Sequence, residues 1–443
     1  MERQLTTAAH GHVLTNANVW SPDGEWIVYD VRSDPAGATF DGARIERVHV
    51  PTGRTEVLYE SQRGAHCGVA SYSPVDDRVA FILGPENPTP DWEYAIHHRQ
   101  GVIVDAARPG EAKNLDARDI VAPFTPGALR GGSHVHIFSG DGQWVSFTYD
   151  DHVLTMRQPA GQGDLNQRNI GVAVPLGAVT VPRTHPRNHD GAMFSALVTR
   201  TVGHPRPGSD EIAKAYEDAW VGVAGYIRND RSRQERALAF LGDAIDPKGN
   251  PITELFIADL PPLHAMKKPG DGPLQGTPTL RPQPPLAVLQ RRLTFTVDRK
   301  HPGIQGPRHW PRSSPDGSRI ACLMRDDAGV VQLWSVSPNG GPPRQITRDP
   351  WDVASAFTWN KDGSAIAYIA DGSVMTVDAA TGESRRLTEK PAVADLPAPR
   401  PEACVFSPNG LQIAFVHPVR GSDGSTWNQI FAVSSLWEGA PTP

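Results

Sequence analysis

The sequence predicts an all-β fold: one propeller domain over residues 1–443, with seven blades closed into a ring by the N-terminal strand. Glycine and proline supply 42 residues each of the 443, above the usual shares of roughly 7% and 5%. Such dense punctuation excludes a helical bundle or coiled coil. A turn phrase then recurs along the chain, as fixed-period architectures require. It reads Trp20-Ser21-Pro22-Asp23-Gly24, Tyr72-Ser73-Pro74-Val75-Asp76, Phe138-Ser139-Gly140-Asp141-Gly142, Ser314-Pro315-Asp316-Gly317, Asn360-Lys361-Asp362-Gly363 and Ser407-Pro408-Asn409-Gly410. A closing phrase follows in Arg291-Arg292-Leu293-Thr294, Arg344-Gln345-Ile346-Thr347 and Arg385-Arg386-Leu387-Thr388.

Each element follows from these phrases. Asp-Gly and Asn-Gly steps are hairpin turns that need positive φ, and the alternating runs flanking them are short strands. The repeated aspartates are therefore structural. Units of about 40–50 residues match a four-stranded blade. Six are clear, near 16–60, 64–120, 130–180, 305–347, 351–388 and 398–435. Arg3-Gln4-Leu5-Thr6 is a closing phrase with no blade before it, and the last unit lacks one. The N-terminal strand thus completes the final blade and removes both free edges. Residues 181–297 are irregular and read as one more blade with insertions; two blades there, giving eight, is the alternative. Within it Ser209–Trp220 reads as a helix with Ser209 as N-cap, so 203–236 is expected to be a helical insertion. Residues 261–290 hold eight prolines and read as a surface loop.

Composition bounds the function. The 43 basic and 49 acidic residues give −6, which argues against a nucleic-acid partner held by phosphate contacts. No apolar run approaches the ~20 residues of a membrane span, and Met1–Thr7 has no signal-peptide stretch. The three cysteines are far apart without a CxxC. The expectation is a cytoplasmic protein with no membrane or nucleic-acid partner.

With these phrases along nearly its whole length, the chain resembles TolB-type β-propellers. Arg130-Gly131-Gly132-Ser133-His134-Val135-His136, His97-His98-Arg99-Gln100-Gly101-Val102-Ile103-Val104, Gly208-Ser209-Asp210-Glu211-Ile212 and Pro307-Arg308-His309-Trp310 resemble a YidR-like family of bacterial proteins whose function is not established. Val223–Gln234 stands outside that similarity as an insertion. A weaker similarity runs to the oligogalacturonate lyases, propellers that cleave uronate sugars with a histidine base and a histidine-bound divalent metal. His134-Val135-His136, His309 and His66 resemble histidine phrases of that family; the glutamine that joins its metal histidines has no clear match.

Strand residues two apart share a face. Positions five and three before the turn serine should therefore line one inward face: Asn16/Asn18, Gly68/Ala70, His134/His136, His309/Pro311, Ser355/Phe357 and Glu402/Cys404. Three of these twelve are histidine, although the chain has only 16. Two imidazoles pointing one way suit a borderline metal. Manganese or zinc is accordingly expected on His134, His136 and His309, with His185. His66 is the expected base and Arg99 the anion clamp. Tyr94, His97, His98, Arg325, Asn16 and Glu402 are the expected substrate contacts. His152 reads as a structural histidine, and Asp150 and Asp151 as solvated. Nucleophile elbow, HExxH, P-loop and dinucleotide fingerprint are all missing, and Cys67 points away from its neighbour His66. The resemblance implies a metal-dependent lyase acting on short uronate oligosaccharides by β-elimination. A TolB-like interaction scaffold and a metal-dependent hydrolase are the competing readings.

Overall fold

The turn phrases act through their side chains. Ser21, Ser139, Ser314 and Ser407 each accept with Oγ a backbone N–H five residues on, at 3.0–3.1 Å. The Asp or Asn two residues after the serine accepts another, as in Asp23, Asp141, Asp316 and Asn409. These acids are spent on turn geometry. In the closing phrases the apolar residue is buried (Leu293, Ile346), and the threonine hydroxyl accepts a third-strand N–H. Thr294 takes Leu255, Thr347 takes Leu333 and Thr388 takes Val374, each at 2.9 Å. Thr6 does the same to Ile430, at 2.9 Å.

A computed structural model describes residues 2–34, 37–158, 164–390, 398–421 and 424–435. It consists of seven four-stranded antiparallel sheets, the blades of a propeller. Their innermost strands are Gly11–Val13, Cys67–Tyr72, Gly131–Phe138, Ala215–Trp220, Arg312–Ser313, Thr358–Trp359 and Cys404–Phe406. Glu2–Gln4 pairs with Thr426–Ser434 as the outermost strand of the seventh blade, so the ring closes as expected. Apolar side chains pack mainly between neighbouring blades: one core cluster joins Leu5 and Trp20 to Ala414 and Ile430, across the closure.

The irregular region resolves into one blade. Phe194–Leu197 is the fourth strand of the third blade, and the fourth blade takes Ala215–Trp220, Ala237–Ile245, Pro251–Asp259 and Leu289–Arg292, which removes the eight-bladed alternative. The expected helix over Ser209–Trp220 does not form. Ser209 Oγ donates to Arg206 O at 2.7 Å and accepts from Glu211 N–H at 3.2 Å, closing a tight turn. Ala215 and Ala219 are then buried in the ladder with Gly242 and Ala239, so pairing overrides local propensity. The expected helical insertion 203–236 is instead turns, this strand, and a hairpin pairing Tyr226–Ile227 with Arg233–Gln234. Helix among the described residues is limited to His152–Arg157 and two 3-10 turns, and none is long and apolar enough to cross a membrane. The proline-rich segment runs as a loop that seats Met266 and Leu274 in the core of the third and fourth blades.

Candidate functional site

The inner segments of the first four blades share a kink. Asn18, Val69, Val135 and Glu217 have φ of 56°, 60°, 56° and 56°, and the ladder shifts register around the last three. Positive φ at a β-branched valine is a costly outlier. It splits the strand, so residues on either side no longer share a face. His134 accordingly faces the channel mouth, while His136 turns away between the second and third blades. There His136 Nε2 lies 3.0 Å from Ser133 Oγ, and it sits where a side chain at Gly101 would be.

His309 is withdrawn for a different reason. In the fifth and sixth blades the innermost strand is only two residues long. Side chains upstream take over its ladder: His309 Nε2 accepts from Leu323 N–H at 3.2 Å and Ser355 Oγ from Ile369 N–H at 2.8 Å. With Nε2 accepting, Nδ1 carries the proton and donates to Pro307 O at 2.9 Å. Both nitrogens of His309 are used.

The channel mouth is a cavity of about 570 Å³. Four of the expected residues line it: Asn16, Arg99, His134 and Glu402. Arg32, Arg168, Arg308, Asp30 and Glu217 also line it, and none of these five was expected. Arg32 pairs with Asp30 at 2.6 Å, Arg168 with Asp150 at 3.3 Å and Arg308 with Glu217 at 2.7 Å. Arg99 instead donates from Nε to the Tyr94 hydroxyl at 2.8 Å and has no carboxylate partner among the described residues. Tyr94 stacks on Phe40 with ring centroids 4.7 Å apart, so it backs the arginine and lies outside the lining. His134 is buried, and its Nδ1 lies 3.7 Å from Asp150 Oδ2; neither atom has a hydrogen-bond partner. Burial first, then the nearby charges of Arg99, Arg168 and Arg308, hold His134 well below the usual histidine range. It is neutral at pH 7.

The remaining expectations fall elsewhere. His66 lies behind Tyr94, with ring centroids 6.2 Å apart, and outside the cavity lining. Arg325 is held by Gln305 Oε1 at 3.0 Å and by Gly329 O in its own hairpin. His185 approaches Trp92, 6.1 Å between ring centroids, and its Nδ1 accepts the Arg187 N–H at 3.1 Å. His97 and His98 sit on the turn Ile96–His98, where they meet His152. Cys67, Cys322 and Cys404 are free and buried, and burial pushes the Cys67 thiol up to about 12, which suits packing and not nucleophilic attack.

A family described as "Protein of unknown function (DUF3748)" matches residues 66–189, the span that holds the second blade and most of the third. The Escherichia coli (strain K12) chain named "Uncharacterized protein YidR" is 49% identical over 416 residues, 94% of each chain. The chain belongs to the YidR family. Among solved structures, an oligogalacturonate lyase in complex with manganese is similar with a TM-score of 0.53 and 14% identity, over 99% of this chain and 93% of that one. An oligogalacturonate lyase from Vibrio parahaemolyticus follows with a TM-score of 0.52 and 11% identity, over 98% and 93%. At these identities the likeness is one of fold.

That likeness raises the question of a metal on His134, His136, His309 and His185, and the donor atoms do not fit one. His309 has no free nitrogen, His136 points between blades and His185 stands beside Trp92. Among the described residues, the group of three ligating side chains whose donor atoms come within 4.8 Å of one another is His97, His98 and His152.

Proposed function

We propose that this YidR-family protein is a carbon–oxygen lyase that cleaves short uronate-bearing oligosaccharides by β-elimination, with His134 as the base. The observation that carries the reading is the channel-mouth cavity, where Arg99, Arg168 and Arg308 surround a buried neutral histidine. A uronate carboxylate suits these arginines, which can hold it through bidentate contacts. Arg99 lacks a carboxylate of its own and is the first candidate for that contact. The solved propellers of similar fold that are named oligogalacturonate lyases support the substrate class.

The chemistry follows from the geometry. The proton on the carbon next to the carboxylate moves to His134. Its bonding pair forms the carbon–carbon double bond, and the glycosidic oxygen leaves with its electrons and takes a proton from solvent, to which His134 later returns the one it removed. Charge that builds on the carboxylate in the transition state meets guanidinium groups already in place. The same guanidiniums help to keep His134 a weak base. A bound carboxylate offsets their charge and raises the basicity of His134 toward the value a general base needs near neutrality. Asp150 Oδ2, 3.7 Å from Nδ1, places a carboxylate beside the imidazolium that forms.

The test is a screen of uronate oligosaccharides for the ultraviolet band of a conjugated enoate, followed by His134→Gln. Turnover is expected to drop by about 10²–10⁴ while the variant stays folded. Full activity in His134→Gln removes it from the role. A cleaved product without the band replaces elimination with hydrolysis, and no turnover with any acidic oligosaccharide overturns the reading.

A further inference from the structure

The histidines that the cavity does not use form a second site. His97 and His98 lie on the turn within the excursion from Gly84 to Arg99 that joins two strands of the second blade, and His152 opens the short helix His152–Arg157 of the third. Asp151 caps that helix by accepting Leu154 N–H at 2.8 Å, which fixes where the His152 ring begins.

Their donor atoms are arranged for an ion. His98 Nδ1 lies 2.8 Å from Glu93 O. A carbonyl can only accept, so Nδ1 carries the proton and Nε2 presents its lone pair, the outer-shell arrangement common to metal-bound histidines. That lone pair faces His152 Nδ1 at 3.1 Å. Two nitrogens bound at 2.0–2.1 Å to one tetrahedral ion lie about 3.3 Å apart, so only a small separation of the rings is needed. His97 completes the set within 4.8 Å. Trp92 stacks on His98 with centroids 3.7 Å apart and shields one side, while the half-buried His97 and His152 leave the other side open to solvent ligands. Arg118 and Arg187 also stand near Trp92, and at His97 the charges of Asp150 and Asp151 oppose that of Arg118.

We propose that His97, His98 and His152 bind one borderline divalent transition metal, of the zinc or cobalt class, and that this ion ties the excursion of the second blade to the third. Three imidazoles without a carboxylate in the set favour such ions over calcium or magnesium. The consequence reaches the cavity. Ile96 and Arg99 flank the histidine pair and both line the channel mouth, so a bound ion fixes the segment that presents Arg99. Binding of the ion stands independently; only its effect on an acidic ligand rests on the proposed function.

Cobalt(II) is added to chelator-treated, full-length protein and followed by its visible d–d absorption and by quenching of tryptophan fluorescence through Trp92. One equivalent is expected to saturate both signals, and zinc to displace it. His98→Gln and His152→Gln are each expected to weaken binding at least about tenfold, whereas His134→Gln and His309→Gln leave it unchanged. Wild-type protein that gives neither signal overturns the site, whatever the variants do. Unchanged binding in a folded His98→Gln/His152→Gln double variant, or loss of binding in His134→Gln alone, also overturns it. Because no sugar is present, failure here is distinct from failure of the lyase reading.

Discussion

The two mouths of the channel are built on opposite rules. At one, the turn phrases converge on a cavity of about 540 Å³ whose lining includes Trp20, Phe138, Trp359 and Phe406, with Pro22 and Pro315. Successive blades supply the same residue types from the same place in the repeat. The indoles bridge blades: Trp20 Nε1 donates to Val405 O at 3.0 Å and Trp359 Nε1 to Arg312 O at 2.8 Å. At the other mouth the contributing blades each supply something different, such as Asn16, Arg99, His134, Glu217, Arg308 and Glu402. Where the repeat is kept it makes architecture, and where it is abandoned it makes a place for chemistry.

The largest effect should come from breaking the repeat itself. Deleting residues 1–8 removes buried Leu5, the Thr6 hydroxyl and three ladder residues. Leaving a core edge open costs about 5 kcal/mol by the usual cavity and hydrogen-bond terms. Thermal melting checks this, and a truncation that melts like the full chain refutes closure. Next is the turn-phrase mouth: Trp20→Ala is expected to cost about 3–5 kcal/mol of stability, with affinity for an acidic oligosaccharide unchanged in the folded fraction. Arg99→Ala should do the reverse. Loss of a charge-assisted contact of about 1.5–3 kcal/mol weakens that affinity roughly ten- to a hundredfold, while melting stays within about 0.5 kcal/mol. If both variants move both readouts together, the division between the mouths fails.

The smallest effect sharpens the boundary. Burial lowers His309 from 6.5 to about 4, so the native state holds it neutral where the unfolded chain protonates. The stability this gives is present above 6.5 and is lost as pH falls from there toward 4. Between pH 7 and 5.5, wild type should lose about 1 kcal/mol relative to His309→Gln. Denaturant titration of both at the two pH values measures it, and parallel curves would show that His309 is not held neutral.

The repeat side was legible in sequence because one physical need recurs: a turn acid bonding its own backbone and a threonine reaching the third strand. The site was legible only in part. Asn16 and His134 reached the mouth because they stand before the kinks at Asn18 and Val135, Arg99 because its excursion points there, and Glu402 because it stands just before its innermost strand. His136 was lost because a strand of alternating pattern gave no warning of positive φ at Val135. His309 was lost because the length of its innermost strand depends on pairing across the blade. Arg308 stands next to His309, whose ring carries the stronger signal, and Arg168 stands just before a third strand, Asn169–Val174, with nothing local to mark it. His97 and His98 were expected as substrate contacts and stand outside the cavity lining, and only the structure brings His152 to them.

Thr6 and Ile430, joined by a hydrogen bond, are 424 residues apart. During synthesis Glu2–Gln4 must wait for Thr426–Ser434 before it has a partner, so six blades can form while the seventh stays a gap. The wait is entropically mild. Bringing together ends that far apart costs only about 3 kcal/mol more than closing a ten-residue turn. The hazard is kinetic, because the waiting edge of the seventh blade can take a strand from another nascent chain. Assembly of this ring is therefore expected to depend on how crowded newly made chains are, more than on how stable the finished ring is.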